Sequence, residues 1–308
     1  MVMKTLFTIL FFGISGLVVH AQQTPLFTQY FWNDYLINPA FSGLSSYNPI
    51  QVGVRNQWTG FGGAPGTYTL GGHGAIQNKN MGIGGMLFLD DFGGAIEQSG
   101  IVLNYAYHLK LNNSSKLSMG ISGSLNQYTY DGSNIIANSQ NDQSLFVSQK
   151  SLVPDFNLGI VYSSEDRLRV GFSANQLLES SLKKWNSNTS EELSNKLVRH
   201  YFLSGSYLAD IKGKIQLEPY TVLRTTFITP VQFEMGARII YKEHFYTGIG
   251  YRHKDAFVFL VGTTYNRFLL GYSYDLTTSK LRNYSSGSHE IMIGYRLAQR
   301  KASSAPKE

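Results

Sequence analysis

Residues 266–297 read NRFLLGYSYDLTTSKLRNYSSGSHEIMIGYRL and contain two short runs of period-two alternation. In the first, Phe268, Leu270, Tyr272 and Tyr274 point one way, while Arg267, Leu269, Gly271, Ser273 and Asp275 point the other. In the second, Ile291, Ile293, Tyr295 and Leu297 alternate with Glu290, Met292, Gly294 and Arg296. A strand sends successive side chains to opposite faces, so each run offers one apolar-aromatic face and one polar or small face. The link 275–287 is too long for a tight turn. A sheet that is greasy outside and wet inside is the signature of an outer-membrane barrel.

Upstream the pattern repeats with almost nothing helical between. Alternating runs lie near 49–58, 67–75, 81–90, 99–109, 116–128, 154–163, 168–174, 199–208, 214–223, 231–241, 245–252 and 256–264. With the two just quoted, that predicts about fourteen strands, an even number as single-chain bacterial barrels require. The connections support the count. Those after even-numbered strands are short (76–80, 110–115, 164–167, 209–213, 242–244 and 265–266), and the long ones, 129–153, 175–198 and 276–287, all follow odd-numbered strands. Short periplasmic turns and long outside loops give a barrel that parity, whereas a β-sandwich gives no reason for it. Pro219 inside the ninth run predicts a later strand start or a bulge, because proline removes a ladder hydrogen bond.

Composition fits a chain that meets lipid. Charged residues make up 15% of the 308, against roughly 25% in ordinary soluble domains, while aromatics reach 14% with 20 Tyr and 19 Phe. Mean hydropathy is nevertheless −0.15, so this is not a helical membrane protein. The absence of cysteine excludes disulfides, thiol catalysis and cysteine metal sites. The net charge of +6 is spread along the sequence in no compact run; it reads as solvated loops and ends, with no nucleic-acid footprint.

The chain divides into four parts. Residues 1–21 read as a secretory signal peptide: Lys4, an apolar core from Leu6 to Val19, and a small-residue cleavage site ending at Ala21. Residues 22–48 form an aromatic, amide-rich segment broken by Pro25 and Pro39, expected to be a periplasmic arm or a plug. The barrel is expected over 49–297, and a polar tail over 298–308. The destination is the outer membrane, with the protein integral to it.

No motif points to catalysis. The glycines at 82, 84 and 85 run into more strand rather than the helix a dinucleotide fingerprint needs. Ser288, His289 and Glu290 carry hydrolase letters, but neighbours on a strand face opposite sides and cannot orient one another. His200, His253 and His289 lack ligand spacing, so no metal and no cofactor is expected. The inward positions carry Glu234, Arg238, Arg252, Asp275, Glu290 and Arg296. Buried charge must find partners, so these are expected to pair as structural glue; lining a channel or docking a peptide is the alternative. The loops 129–153 and 175–198, the second with Trp185, are polar and are candidates for partner binding outside.

Gln29-Tyr30, Asn33, Asn38-Pro39-Ala40 and Gly43 resemble the start of the PorP/SprF family of the Bacteroidetes type IX secretion system. The resemblance continues through Arg55-Asn56-Gln57-Trp58, Pro154-Asp155 with Gly159 and Tyr162, and His200-Tyr201. It ends with Tyr251-Arg252, Asp255-Ala256-Phe257, the run 271–275, Tyr284-Ser285 and Ser288-His289-Glu290. The resemblance implies a non-enzymatic outer-membrane component that helps export particular secreted proteins, such as gliding adhesins, or anchors them at the surface. Periplasmic secretion components are the implied partners of the arm, through Gln29, Tyr30, Asn33, Asn38 and Pro39. The rival from another class is a general porin or small-solute channel.

Overall fold

The computed structural model describes residues 27–77, 79–134, 148–182 and 196–299. The strands are β1 (Tyr47–Asn56), β2 (Gly66–Ala75), β3 (Met81–Asp91), β4 (Ile96–Lys110), β5 (Ser115–Asp131), β6 (Ser148–Ser164) and β7 (Leu168–Asn175). Strand β8 comes in two pieces, His200–Tyr207 and Ala209–Lys212. Then follow β9 (Ile215–Thr225), β10 (Gln232–Tyr241), β11 (Phe245–Arg252), β12 (Ala256–Tyr265), β13 (Phe268–Thr277) and β14 (Ser288–Gln299). Every neighbour in sequence pairs antiparallel, and β1 pairs with β14, so one sheet closes on itself. The sheet holds 15 hydrogen-bonded segments, and joining the two pieces of β8 leaves fourteen strands. An antiparallel barrel of this kind leaves no unpaired edge.

Alternation sets which side is out. Leu270 is 50% exposed and its neighbour Leu269 only 2%; Ile291, Ile293 and Leu297 face out beside it, while Glu290 and Met292 face in. The same outward apolar row continues through Phe257, Phe259 and Val261 on β12. Hairpin chemistry at one end explains the short connections. Glu165 and Asp166, and likewise Lys242 and Glu243, adopt the left-handed backbone of tight hairpin turns, matching the twist of the strands they join. We call this the turn end and the opposite one the loop end. Among the described residues no helix is long and apolar enough to cross a membrane, and the strands do the crossing.

Pro219 behaves differently from the expectation. Strand β9 runs straight through it in unbroken register with β10, Pro219 opposite Ala237. The irregularity falls on the other neighbour: β8 is interrupted at Leu208, between the pairings Tyr220↔Ser206 and Leu217↔Ala209. Proline has no N–H to give, so the ladder gap appears in the strand that faces it. Strand β14 also reaches Gln299, two residues beyond the expected barrel limit, and β1 starts at Tyr47.

The segment before β1 lies inside the barrel. From Thr28 to Ser42 it carries buried Thr28, Gln29, Tyr30, Trp32, Asn33, Tyr35, Ile37, Asn38, Ala40, Phe41 and Ser42. Two single-turn 3-10 helices, Asp34–Leu36 and Pro39–Phe41, compact it, the second capped by the Asn38 side chain on the N–H of Ala40. It packs on the inner wall through three apolar clusters, Tyr30 and Ile37 with Phe202, Tyr220 and Val222, Trp32 with Tyr246, Leu269 and Met292, and Tyr35, Ala40 and Phe41 with Val161. Glycines make the seat. A Cβ at Gly120 would fall on the backbone of Pro39 and Ala40, and one at Gly159 on the Asn38 side-chain oxygen. What remains between this segment and β7–β9 is a cavity of about 50 Å³.

Candidate functional site

Four of the six predicted lumen charges meet in one buried network at the loop end. Arg252 places Nε 2.7 Å from Glu234 Oε2 and Nη1 2.9 Å from Asp275 Oδ2. Arg55, which the inward-charge reading left out, donates to Asp275 at 2.7 Å and to Glu290 at 3.1 Å. Asp255 adds a further carboxylate 3.2 Å from Arg252. Arg55 had a signal in the sequence, since it alternates with Val54 and Asn56 as Glu290 does with its neighbours. The side chains converge because β10, β11, β13, β14 and β1 are consecutive or nearly so around the ring.

The network holds the start of the lumenal segment. The hydroxyl of Thr28 donates to Asp275 at 3.0 Å and accepts from Arg55 at 2.9 Å and Arg252 at 3.2 Å. The Glu290 carboxylate receives the backbone N–H groups of Thr28 (2.8 Å) and Gln29 (3.2 Å). Charge-assisted hydrogen bonds of this kind are the strong ones, and they fix the segment where it meets the mouth of the barrel. All five principal charges are nearly solvent-free, so each compensates another.

The two remaining lumen charges lie elsewhere. Arg238 pairs with Glu218 at 2.6 Å and stacks on Phe31, its guanidinium 4.3 Å from the ring centroid. Arg296 lies near the turn end, over the ring of Tyr47 at 4.2 Å and within 3.2 Å of the Thr264 hydroxyl. Glu218 escaped the sequence reading because it sits next to Pro219.

The five arm residues expected to bind partners pack against the barrel wall. Gln29 donates to the backbone carbonyl of Glu290, Asn33 to the sulfur of Met292, and Asn38 to the carbonyls of Ile160 and Phe172 on β6 and β7. Tyr30 and Pro39 are buried beside them. At the turn end, His73 Nδ1 accepts from the N–H of Gly43 at 2.9 Å, and His108 Nε2 lies 3.1 Å from the carbonyl of Ser42. The segment therefore enters the lumen at the turn end, next to β1, and runs back to the loop end.

Other singled-out residues fall into place around it. Asp155 accepts from the N–H groups of Phe156 and Leu178, and His200 contacts Gln176 and Val198, so both pin the root of the long β7–β8 loop. Leu197 tucks that root against Tyr128 and Val153. Trp58 has a left-handed backbone (φ 49°), unusual for an aromatic residue, and its N–H is held by the Ser288 hydroxyl. His289 faces the opposite side, against the Tyr272 hydroxyl at 2.8 Å, so Ser288 and His289 form no catalytic pair. Among the described residues no group of three or more His, Asp or Glu side chains could hold a metal ion. Trp185, residues 1–26 and most of the expected tail lie outside the described residues.

Comparison with known proteins agrees with this architecture. Residues 19–295 match the family described as "Type IX secretion system membrane protein PorP/SprF". No curated protein matches the chain. Among solved structures, a Pseudomonas aeruginosa FadL homologue is similar at TM-score 0.50 and 11% identity, covering 85% of this chain and 93% of that one. The Acinetobacter baumannii outer membrane protein Omp33 is similar at TM-score 0.50 and 8% identity, covering 83% and 100%. At such identities the likeness is one of fold alone.

Proposed function

The chain belongs to the PorP/SprF family of type IX secretion system membrane proteins, and from that premise we propose that it helps export or anchor particular surface proteins. Gliding adhesins are the class of cargo the reading has in view. The observation that carries it is convergence. Sequence pieces around Gln29, Arg55, Trp58, Arg252, Asp255, Asp275, Ser288 and Glu290 lie far apart in the chain yet gather at the loop-end mouth. A wall-fitted segment filling the lumen favours this reading over an open, passive porin. Cargo is held on the loop end, outside the cell, and the lumenal segment reports to the periplasmic side by way of its tether at the turn end.

In this reading Gln29, Tyr30, Asn33, Asn38 and Pro39 serve two masters. Seated, they close the lumen. Withdrawn through the turn end, they are free to meet periplasmic secretion components. The test is a gentle-detergent pull-down of the tagged protein from outer membranes, with the co-purifying proteins identified by mass spectrometry. Large surface proteins or periplasmic secretion components in the eluate support the reading. A protein that purifies alone and conducts steadily in a planar bilayer returns it to the class of passive porins.

A further inference from the structure

Basic residues that look scattered in the sequence gather at one end of the folded barrel. Every short turn carries one in it or beside it: Lys79, Lys110, Arg167, Lys212 with Lys214, Lys242 and Arg267. The spacing of hairpins along the chain disperses them, and closure brings them onto one rim. Acidic residues divide this rim in two. On the β6–β11 side, Glu165, Asp166, Asp210 and Glu243 share the turns, with Lys116 3.8 Å from Asp166 and Arg167 bonded to Asp210.

On the other side, from the β12–β13 turn past β14 and β1 to the β4–β5 turn, stand the exposed Arg267, Lys79 and Lys110. Among the described residues no Asp or Glu lies in those turns or in the strand ends beside them. The loop end shows no such arc: Asp91, Glu97, Asp131 and Asp255 are interspersed with Lys150, Lys254, Lys280 and Arg282.

The arc sits against the apolar belt. Tyr265, Phe268, Leu297, Leu109 and Leu111 face outward immediately above it and are exposed. Side chains at this level lie where lipid headgroups lie, and long basic side chains extend their charge toward the phosphate while their stems stay on the apolar wall. We propose that this arc, Arg267–Lys79–Lys110, binds the anionic headgroups of phospholipids in the leaflet at the turn end. Charge complementarity and the adjoining apolar belt together specify a lipid, because a water-soluble acidic partner would need no hydrophobic floor beside the charges.

The experiment uses the full-length protein in detergent micelles doped with equal amounts of phosphatidylglycerol and phosphatidylethanolamine of the same acyl chains, with retained lipid counted by native mass spectrometry. The wild type should retain phosphatidylglycerol preferentially. The triple variant Lys79→Gln/Lys110→Gln/Arg267→Gln should lose roughly fivefold or more of that retention. A loop-end triple, Lys150→Gln/Lys254→Gln/Lys280→Gln, should keep it. Heat-modifiable migration on gels verifies that each variant is a folded barrel. Equal retention of both lipids by the wild type overturns the proposal, as does equal loss in the loop-end triple. If the lipids are retained alike while the arc variant alone sheds periplasmic proteins in a pull-down, the arc serves a protein and the lipid assignment fails.

Discussion

Arg55 on the first strand reaches past β14 to set Nη2 2.7 Å from Oδ2 of Asp275 on the thirteenth. This pair straddles the junction at which the barrel closes, and both side chains are almost wholly buried. Removing one partner of such a pair leaves an uncompensated charge, at a cost of about 3–5 kcal/mol. Arg55→Met should therefore lower the temperature at which the barrel loses its fast-migrating folded form on gels. Arg55→Met/Asp275→Leu should recover part of the loss, and an Arg55→Met barrel as heat-resistant as wild type would show that the network does not hold the junction.

The glycine seat predicts a second, separable effect. Gly159→Val puts bulk where the Asn38 side chain lies, and the nearest atoms its Cβ would meet belong to Asn38 and Pro39 rather than to the strands beside it. The lumenal segment should come loose while the barrel stays folded, seen as new protease cleavage near residues 27–42 and increased bilayer conductance. Gly123→Ala, one face away and next to Phe156 at 3.6 Å, should change neither.

Because the chain has no cysteine, a single introduced thiol reports without background. Thr28→Cys lies in the sealed network, so a membrane-impermeant maleimide should label it slowly in the otherwise native protein. Adding Gly159→Val should speed labelling at least tenfold if the segment leaves the lumen. Fast labelling without that second change would mean that the segment is not held there.

Asp34, on the lumenal segment, has its carboxyl pushed up to about 7 by burial, with Arg169, 3.6 Å away, pulling in the other direction. The seated state thus binds a proton that the free segment, at the ordinary carboxylate value, gives up. Its contribution to seating is complete below about pH 4 and is lost as pH rises through about 7. Measured at each pH against the same thiol in the Gly159→Val background, which cancels the intrinsic pH dependence of thiol labelling, Thr28→Cys should be better protected at pH 5 than at pH 8. Asp34→Asn should flatten that difference; an unchanged pH profile in this variant would place the titration on another group.

The wall was legible because membrane strands leave a period of two wherever one face meets lipid and the other does not. All fourteen strands lie near their expected positions, and β11 coincides with its expectation, Phe245–Arg252. The lumenal segment had no such trace. Its residues answer to wall positions contributed by strands from β1 to β14, so its pattern of burial follows no helix or strand period. Glu234, Arg252, Asp275 and Glu290 were recognisable as inward charges, but which of them would meet depended on barrel order, as the separate lodging of Arg238 and Arg296 shows. The basic arc was invisible for the same reason: adjacency on a rim is a property of the ring, and the sequence disperses it at hairpin spacing.

Thr28 is wedged among Arg55, Arg252, Asp275 and Glu290, contributed by both ends of the wall, while its own tether leaves at the opposite rim. Its socket is complete only where the first and last strands meet. Glu290 comes from the last strand and Arg55 from the first, so the segment has its full set of loop-end partners only once the wall has sealed. Closure of the wall and completion of the arm's socket are then one event, and a barrel that fails to join β1 to β14 has nowhere to hold Thr28.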